Sequence, residues 1–149
     1  MALDALDAIL EGNKGGVWFA PGVEARAVQA CAKKAHFAYY HVDGKNITRK
    51  EQLLIAVATA LHFPKSFGHN WDALEESLVD LDMDSDGFVI FYDHIDGLLE
   101  AHPDQFETLV EILRDAVASW KEDDTAMVVL LHGSHAPKGV ARLKPGEPA

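Results

Sequence analysis

The sequence predicts an α/β protein built on a small parallel sheet. Three stretches rich in β-branched and aromatic residues are typical of strands: His36 to Val42, Phe88 to Tyr92 and Ala126 to Leu131. Between them lie stretches with the 3.6-residue apolar period of helices, two helices in each interval. Such long connections allow right-handed crossovers between parallel strands. We therefore expect a three-stranded parallel sheet with two-helix crossovers, extended by an N-terminal strand and helices.

The first 35 residues predict this extension. Ala2 to Glu11 place leucine and isoleucine on one side of a short helix. Gly16 to Ala20 is typical of a short strand, which Pro21-Gly22 ends before a second helix from Val23 to Lys34. We expect residues 1–35 to pack on the sheet as an N-terminal extension, and we assign no function to it.

Residues 36–133 are predicted to form the main domain. Thr48 is a candidate helix cap, with Glu51 three residues later completing a capping box, and this helix must end before Pro64. A short helix is predicted at Ile95 to Ala101, and proline at the first position opens a longer one from Pro103 to Trp120. Residues 134–149 are rich in glycine, proline and lysine without periodicity, which predicts a disordered tail.

The functional prediction rests on the central helix. Asn70 is a natural N-cap, because its side-chain oxygen can accept a hydrogen bond from an unpaired backbone N–H, so the helix should begin near Trp71. Apolar residues at spacings of three and four give it a buried face. On another face Asp72, Glu76 and Asp80 follow at i, i+4 and i+8.

Folding alone gives no reason for this acidic face. Like charges four residues apart destabilise an isolated helix by about 0.2–0.5 kcal/mol per pair. Asp72 lies in the first turn, where a carboxylate complements the helix dipole. Glu76 and Asp80 lie beyond that turn, so the dipole does not explain them. We therefore expect a cationic partner to face these carboxylates.

The run from Phe63 to Leu78 resembles the signature of the barstar family, small intracellular inhibitors of secreted barnase-type ribonucleases. The shared features are a proline, the core Phe-Gly-x-Asn-x-Asp-Ala-Leu and the acidic helix that follows, and the flanking elements agree from about His41 to Leu131. The resemblance implies a barstar-like fold and a small basic ribonuclease as protein partner, whose active site the acidic helix face would block. The alternative is a barstar-like protein-interaction module without nuclease inhibition.

The resemblance also implies a partner-binding surface. Family interface acids match Asp72 and Glu76 on the central helix and Asp115 on the long helix, and a family loop glycine matches Gly68. The predicted site comprises Phe67, Gly68, His69, Asn70, Asp72, Glu76, Asp80 and Asp115.

Three positions near this surface depart from the family pattern. Ser66 and Glu75 stand where the family can have aromatic residues, and Ser119 replaces a second acid of the long helix. Two of these departures remove aromatic anchors, which often carry much of an interface's binding energy.

The charge distribution agrees with a basic protein partner. The net charge is −11 from 24 acids and 13 bases, and thirteen of the acids lie between Lys65 and Arg114, a stretch without lysine or arginine. This balance disfavours nucleic acid or an anionic membrane as partner. The chain also shows no signal segment, no bilayer-spanning apolar run and a single cysteine, Cys31, so we expect a cytoplasmic protein.

Metal binding and catalysis fit the sequence less well. Asp82 to Asp93 resembles a calcium loop, but a predicted strand follows where such a loop requires a helix. His132 and His135 lack a third ligand nearby and are typical of scattered surface histidines. Cys31 has no base in a nearby motif, and helix-surface carboxylates lack the apolar pocket that separates two pKa values. We predict no metal, no cofactor and no enzymatic activity.

Overall fold

A computed structural model describes residues 2–82 and 84–143 of the protein. Its described strands form one five-stranded parallel sheet in the order β2-β3-β4-β1-β5. The strands are β1 (Gly16–Phe19), β2 (Ala38–Asp43), β3 (Gly87–Asp93), β4 (Ala126–Leu131) and β5 (Ala141–Arg142). The helices are α1 (Ala2–Glu11), α2 (Ala25–Lys34), α3 (Lys50–Ala60), α4 (Trp71–Leu78), α5 (Asp96–Ala101) and α6 (Pro103–Glu122).

The predicted α/β class and parallel strand pairing are confirmed. Strands β2, β3 and β4 adjoin in that order, with Tyr40 in register with Ile90 and Ile90 in register with Val129. Two helices connect each successive pair of these strands, as predicted. Strand β1 pairs with β4 and thereby extends the sheet on the side away from β2.

Each face of the sheet has its own hydrophobic core, because successive strand residues point to opposite faces. Phe88 and Ile90 of β3 pack in the core formed with α3 to α6, whereas Val89 and Phe91 pack in the core formed with α1 and α2. Strands β3 and β4 are therefore buried on both faces, which explains their continuous apolar sequences. The N-terminal helices cover the second face.

The start of α3 differs from the prediction. The helix begins at Lys50, so Gln52 occupies its third position and the predicted capping box of Thr48 with Glu51 is wrong. The side-chain oxygen of Gln52 accepts hydrogen bonds from the backbone N–H groups of Thr48 at 2.9 Å and Arg49 at 3.2 Å. Glutamine at this position therefore satisfies N–H groups that have no partner within the helix.

The predicted disorder of residues 134–149 is wrong for residues 134–143. Ala141 and Arg142 of β5 pair with β1, and the flanking side chains of Val140 and Leu143 are buried. The backbone N–H of Leu143 also donates to the Phe19 carbonyl at 2.8 Å. This strand covers the edge that β1 would otherwise expose, and it is too short to show a period in sequence. Residues 144–149 lie outside the described residues.

In the described parts of the chain, none of the helices is both long and apolar enough to cross a bilayer.

Candidate functional site: an acidic groove between α4 and α6

The loop before α4 is held by the side chain of Asn70. Its Oδ1 accepts a hydrogen bond from the backbone N–H of Ala73 at 2.7 Å, which confirms the predicted N-cap and the helix start at Trp71. Its Nδ2 donates to the Gly68 carbonyl at 3.3 Å, and His69 between them adopts a left-handed φ of 50°. Gly68, His69 and Asn70 therefore form a tight, exposed turn at the start of α4.

Phe67 does not belong to this exposed turn. Its side chain is buried, and its ring centroid lies 5.1 Å from that of Phe63 and 5.1 Å from that of His69. Phe67 as a partner contact stays a prediction, and burial leaves little of its ring at the surface. Phe67 anchors the loop to the core.

Acidic side chains from two helices line a concavity of about 430 Å³, which we call the acidic groove. Three of the predicted site residues, Asp72, Glu76 and Asp115, meet there. The remaining lining residues are Glu75, Val79, Ala116 and Ser119. Ala116 is fully buried at the contact between the helices, and its small side chain allows α4 and α6 to approach closely.

The carboxylates of the acidic groove are exposed and unneutralised. Within residues 2–82 and 84–143, the side chains of Asp72, Glu75, Glu76 and Asp115 take part in no salt bridge or hydrogen bond. Asp72 and Glu76 are one helical turn apart on α4, so their charges repel each other. All acceptor positions of these carboxylates remain available to a partner.

Asp80 lies apart from the acidic groove. Helix α4 ends at Leu78, and the backbone N–H of Asp80 bonds to the Ser77 carbonyl at 3.2 Å in a closing turn. Asp80 therefore lines a separate concavity of about 340 Å³ that also includes Tyr40 and Asp82. The prediction that Asp80 continues the face of Asp72 and Glu76 is wrong, because the helix stops after two turns.

A buried hydrogen bond joins the two helices of the acidic groove. The indole N–H of Trp120 on α6 donates to the Leu78 carbonyl at the end of α4, at 2.9 Å. The indole ring also packs against Phe88 of β3, with ring centroids 4.8 Å apart. The sequence predicted Trp120 as the last residue of the long helix but not this bond. The available signal was that a buried indole N–H needs an acceptor.

A second group of polar residues lies where β2, β3 and β4 end, and we call it the strand-end cluster. It comprises His41, Asp43, Asp93, His94 and His132. Asp93 Oδ1 lies 2.7 Å from His132 Nδ1 and accepts the backbone N–H of His94 at 2.8 Å, while Asp43 Oδ1 lies 3.1 Å from His94 Nδ1. His132 is half-buried, and its contact with Asp93 was not predicted from the sequence.

Hydrogen bonds to the carboxylate of Asp43 lower its pKa. The main cause is the backbone N–H of Lys45, which donates to the carboxylate, and His94 and His41 act in the same direction. Burial acts in the opposite direction, more strongly than any single histidine contribution, but does not cancel the lowering. The carboxylate of Asp43 is therefore stabilised in its ionised form.

The remaining candidates for reactive groups are the metal-ligating side chains and the single cysteine. Among the residues that the structure describes, no three His, Cys, Asp or Glu side chains are arranged to hold a metal ion. Cys31 is buried, and burial together with a hydrogen bond to Asp7 raises the pKa of its thiol to about 11. A raised pKa disfavours the thiolate that a cysteine nucleophile requires.

Comparison with known families identifies the relatives of this chain. A family model described as Barstar (barnase inhibitor) matches residues 28–132, more than two thirds of the chain. The chain belongs to the barstar family. The match begins within α2 and ends just after β4, so it includes both helices of the acidic groove. Proteins of this family are inhibitors rather than enzymes. A comparison with curated proteins finds none that matches the chain.

Solved structures with a similar fold come from larger proteins. One is the Aeropyrum pernix ORC2 protein in ADPNP-ADP complexes, with a TM-score of 0.60, 16% identity and coverage of 89% of this chain and 40% of that chain. Another is Drosophila ORC bound to DNA, with a TM-score of 0.57, 18% identity and coverage of 94% and 40%. The chain thus spans two fifths of these proteins, and the likeness at such low identity is one of fold alone.

Proposed function

We propose that the protein inhibits a small basic ribonuclease by blocking its active site with the acidic groove. The observation that carries this proposal is the meeting of Asp72, Glu76 and Asp115 from two helices in one groove, with no cation of the described chain opposite them. Membership of the barnase-inhibitor family supports it.

The chemistry of a ribonuclease suits these carboxylates. A cleft that binds RNA phosphates presents arginine, lysine and histidine donors, and carboxylates accept charge-assisted hydrogen bonds from the same groups. Carboxylates held on two helices lose little conformational freedom when they bind, which favours affinity. In this proposal the acidic groove takes the place of the RNA backbone.

The free protein is expected to pay a small electrostatic penalty for this groove. Repulsion between Asp72 and Glu76 destabilises α4 slightly, and cations of the partner would relieve it on binding. Substitutions of these acids should therefore reduce affinity without reducing stability. A core residue would behave differently, because its substitution reduces stability directly.

We place the inhibitor in the cytoplasm as part of this proposal. Cys31 is a free thiol on α2, buried in the core that α2 shares with α1, which fits a reducing compartment. The excess of acidic residues also fits a protein that must avoid nucleic acid and bind a basic protein.

A second candidate function is a barstar-like interaction module whose partner is not a nuclease. The observation that favours it is the composition of the acidic groove, which contains Glu75 and Ser119 but no aromatic side chain among its described lining residues. Affinity purification from the native host would distinguish the two functions. Recovery of a small basic secreted nuclease supports inhibition, whereas recovery of cytosolic regulators alone supports the module.

The direct test is inhibition of a panel of small basic ribonucleases. The wild type, Asp72→Ala and Glu76→Ala are compared with Glu107→Ala, which removes an equal charge from an exposed position of α6 outside the groove. We expect the two groove variants to lose inhibition and Glu107→Ala to retain it, with folding checked by melting curves. Equal inhibition by all four would place the binding surface elsewhere. A wild type that inhibits no nuclease in the panel would overturn the proposal.

A further inference from the structure

Trp120 occupies a particular place relative to the acidic groove. It follows Ser119, which lines the groove from α6, and its hydrogen-bond acceptor Leu78 precedes Val79, which lines the groove from α4. Trp120 is 6% exposed and Leu78 is fully buried, so water does not compete for this bond. The bond therefore connects the two walls of the groove directly beneath its surface.

Both partners of this bond depend on it. The Leu78 carbonyl belongs to the last turn of α4, where no backbone N–H of the helix is available to donate a hydrogen bond to it. An indole N–H is a donor only, and leaving it buried without an acceptor is unfavourable. Each group therefore satisfies the other, and this favours one relative position of α4 and α6.

The geometry of α4 makes such a connection important. The helix has only eight residues, so few of its own side chains hold it against the rest of the protein. Leu74 and Leu78 pack into the core beneath it, whereas the indole of Trp120 holds its C-terminal end. The contact of the indole with Phe88 in turn fixes the ring relative to strand β3.

We infer that Trp120 is a positioning residue for the acidic groove, holding α4 at the distance from α6 at which Asp72, Glu76 and Asp115 contact one partner together. The part of this inference that concerns a partner rests on the proposed function. Charge-assisted hydrogen bonds form over a narrow range of about 2.7–2.9 Å. A small displacement of α4 would therefore prevent carboxylates on both helices from bonding to the same rigid cleft.

The first test measures inhibition by Trp120→Phe, which keeps an aromatic ring near Phe88 but removes the N–H donor. Trp18→Phe serves as the matched control, because Trp18 is a half-buried tryptophan on β1 that does not line the groove. We expect Trp120→Phe to weaken nuclease binding about tenfold, equivalent to about 1.4 kcal/mol, and Trp18→Phe to leave it unchanged. Binding by Trp120→Phe equal to that of the wild type would overturn the inference.

A double-mutant cycle with Asp115→Ala separates positioning from general destabilisation. If Trp120 acts by aligning α4 with α6, its substitution should matter much less once α6 no longer contributes a carboxylate. A general loss of stability would instead lower affinity by the same factor in both backgrounds. Equal effects in the two backgrounds would therefore contradict positioning. Should Trp120→Phe fail to fold, 3-benzothienylalanine at position 120 retains the shape of the indole and lacks the N–H donor.

A measurement on the free protein keeps this inference independent of the nuclease. Residual dipolar couplings report the orientation of α4 relative to α6, and we expect them to change in Trp120→Phe but not in Trp18→Phe. Unchanged couplings would overturn the positioning role whatever the inhibition results. A wild type that inhibits no nuclease, together with changed couplings, would overturn the proposed function while supporting the structural role of Trp120.

Discussion

The acidic groove and the strand-end cluster both concentrate carboxylates, but they differ in what faces those carboxylates. In the groove, Asp72 and Glu76 have no hydrogen-bonding or ionic partner within the described part of the chain. In the cluster, Asp93 accepts a backbone N–H and lies against His132 and His94. The carboxylates of the cluster therefore already have hydrogen-bonding partners within the folded chain, whereas those of the groove remain available to a binding partner.

This difference shows why acidic density alone does not indicate function. A carboxylate with charge-assisted hydrogen bonds in the native state stabilises that state. Exposed carboxylates next to like charges destabilise the native state slightly, and they contribute favourable free energy only when a cationic partner binds. Stability measurements on the two regions should therefore give opposite results, and this contrast can be tested directly.

The largest expected effect on stability comes from Asp93→Ala. This change removes the acceptor for the His94 N–H and the partner of His132, so we expect the free energy of unfolding to fall by about 1.5–3 kcal/mol. Urea denaturation measures this change, with Asp115→Ala in the groove as the matched control. The contrast between the two regions would be lost if both variants were equally stable.

Glu76→Ala should have the opposite profile. We expect affinity for the nuclease to fall by at least about 1.4 kcal/mol, roughly tenfold, because the partner loses a charged acceptor. The free protein should be as stable as the wild type or more stable by up to about 0.5 kcal/mol, because the repulsion from Asp72 is removed. Calorimetric titration and melting curves measure the two quantities. A variant that is clearly less stable would indicate that Glu76 supports the fold.

Salt should affect the two regions unequally. Charges in the exposed groove are screened beyond a Debye length of about 10 Å at roughly 0.1 M salt, so nuclease affinity should weaken as salt increases. The short contacts of half-buried Asp93 are screened less, so the stability difference between the wild type and Asp93→Ala should change little. Affinity that does not vary with ionic strength would argue against an electrostatic groove.

The smallest expected effect concerns the pH dependence contributed by Asp43. Its pKa lies below the ordinary value of 3.8, mainly because of the Lys45 N–H, so the ionised form stabilises the folded state. This stabilisation is fully present above the pKa that Asp43 has in the unfolded chain. It is lost as the pH falls through the lower pKa of the folded state. Acid unfolding of the wild type and Asp43→Asn should show a difference in the free energy of unfolding between them, and this difference should narrow below about pH 4. Because Asp43 is exposed, we expect this difference in stability to be small, and a large one would indicate a further role of Asp43 in the cluster.

Sequence alone determined the parts of the protein whose signals are local. The Asn70 cap, the proline at the start of α6 and the apolar runs of β3 and β4 each depend on neighbouring residues, and each was predicted correctly. The family motif lies in the same stretch, so the family could be recognised before any contact was known. Local hydrogen bonding and side-chain periodicity suffice for such features.

Tertiary structure alone decided how distant segments satisfy one another. Strand β5 forms because β1 offers it an edge, and Asp93 meets His132 because β3 and β4 end side by side. The separation of Asp80 from the groove and the bond between Trp120 and Leu78 likewise depend on where α4 ends against α6. Buried polar groups and open strand edges must find partners, but those partners are chosen by the packing of the whole chain and not by neighbours in sequence.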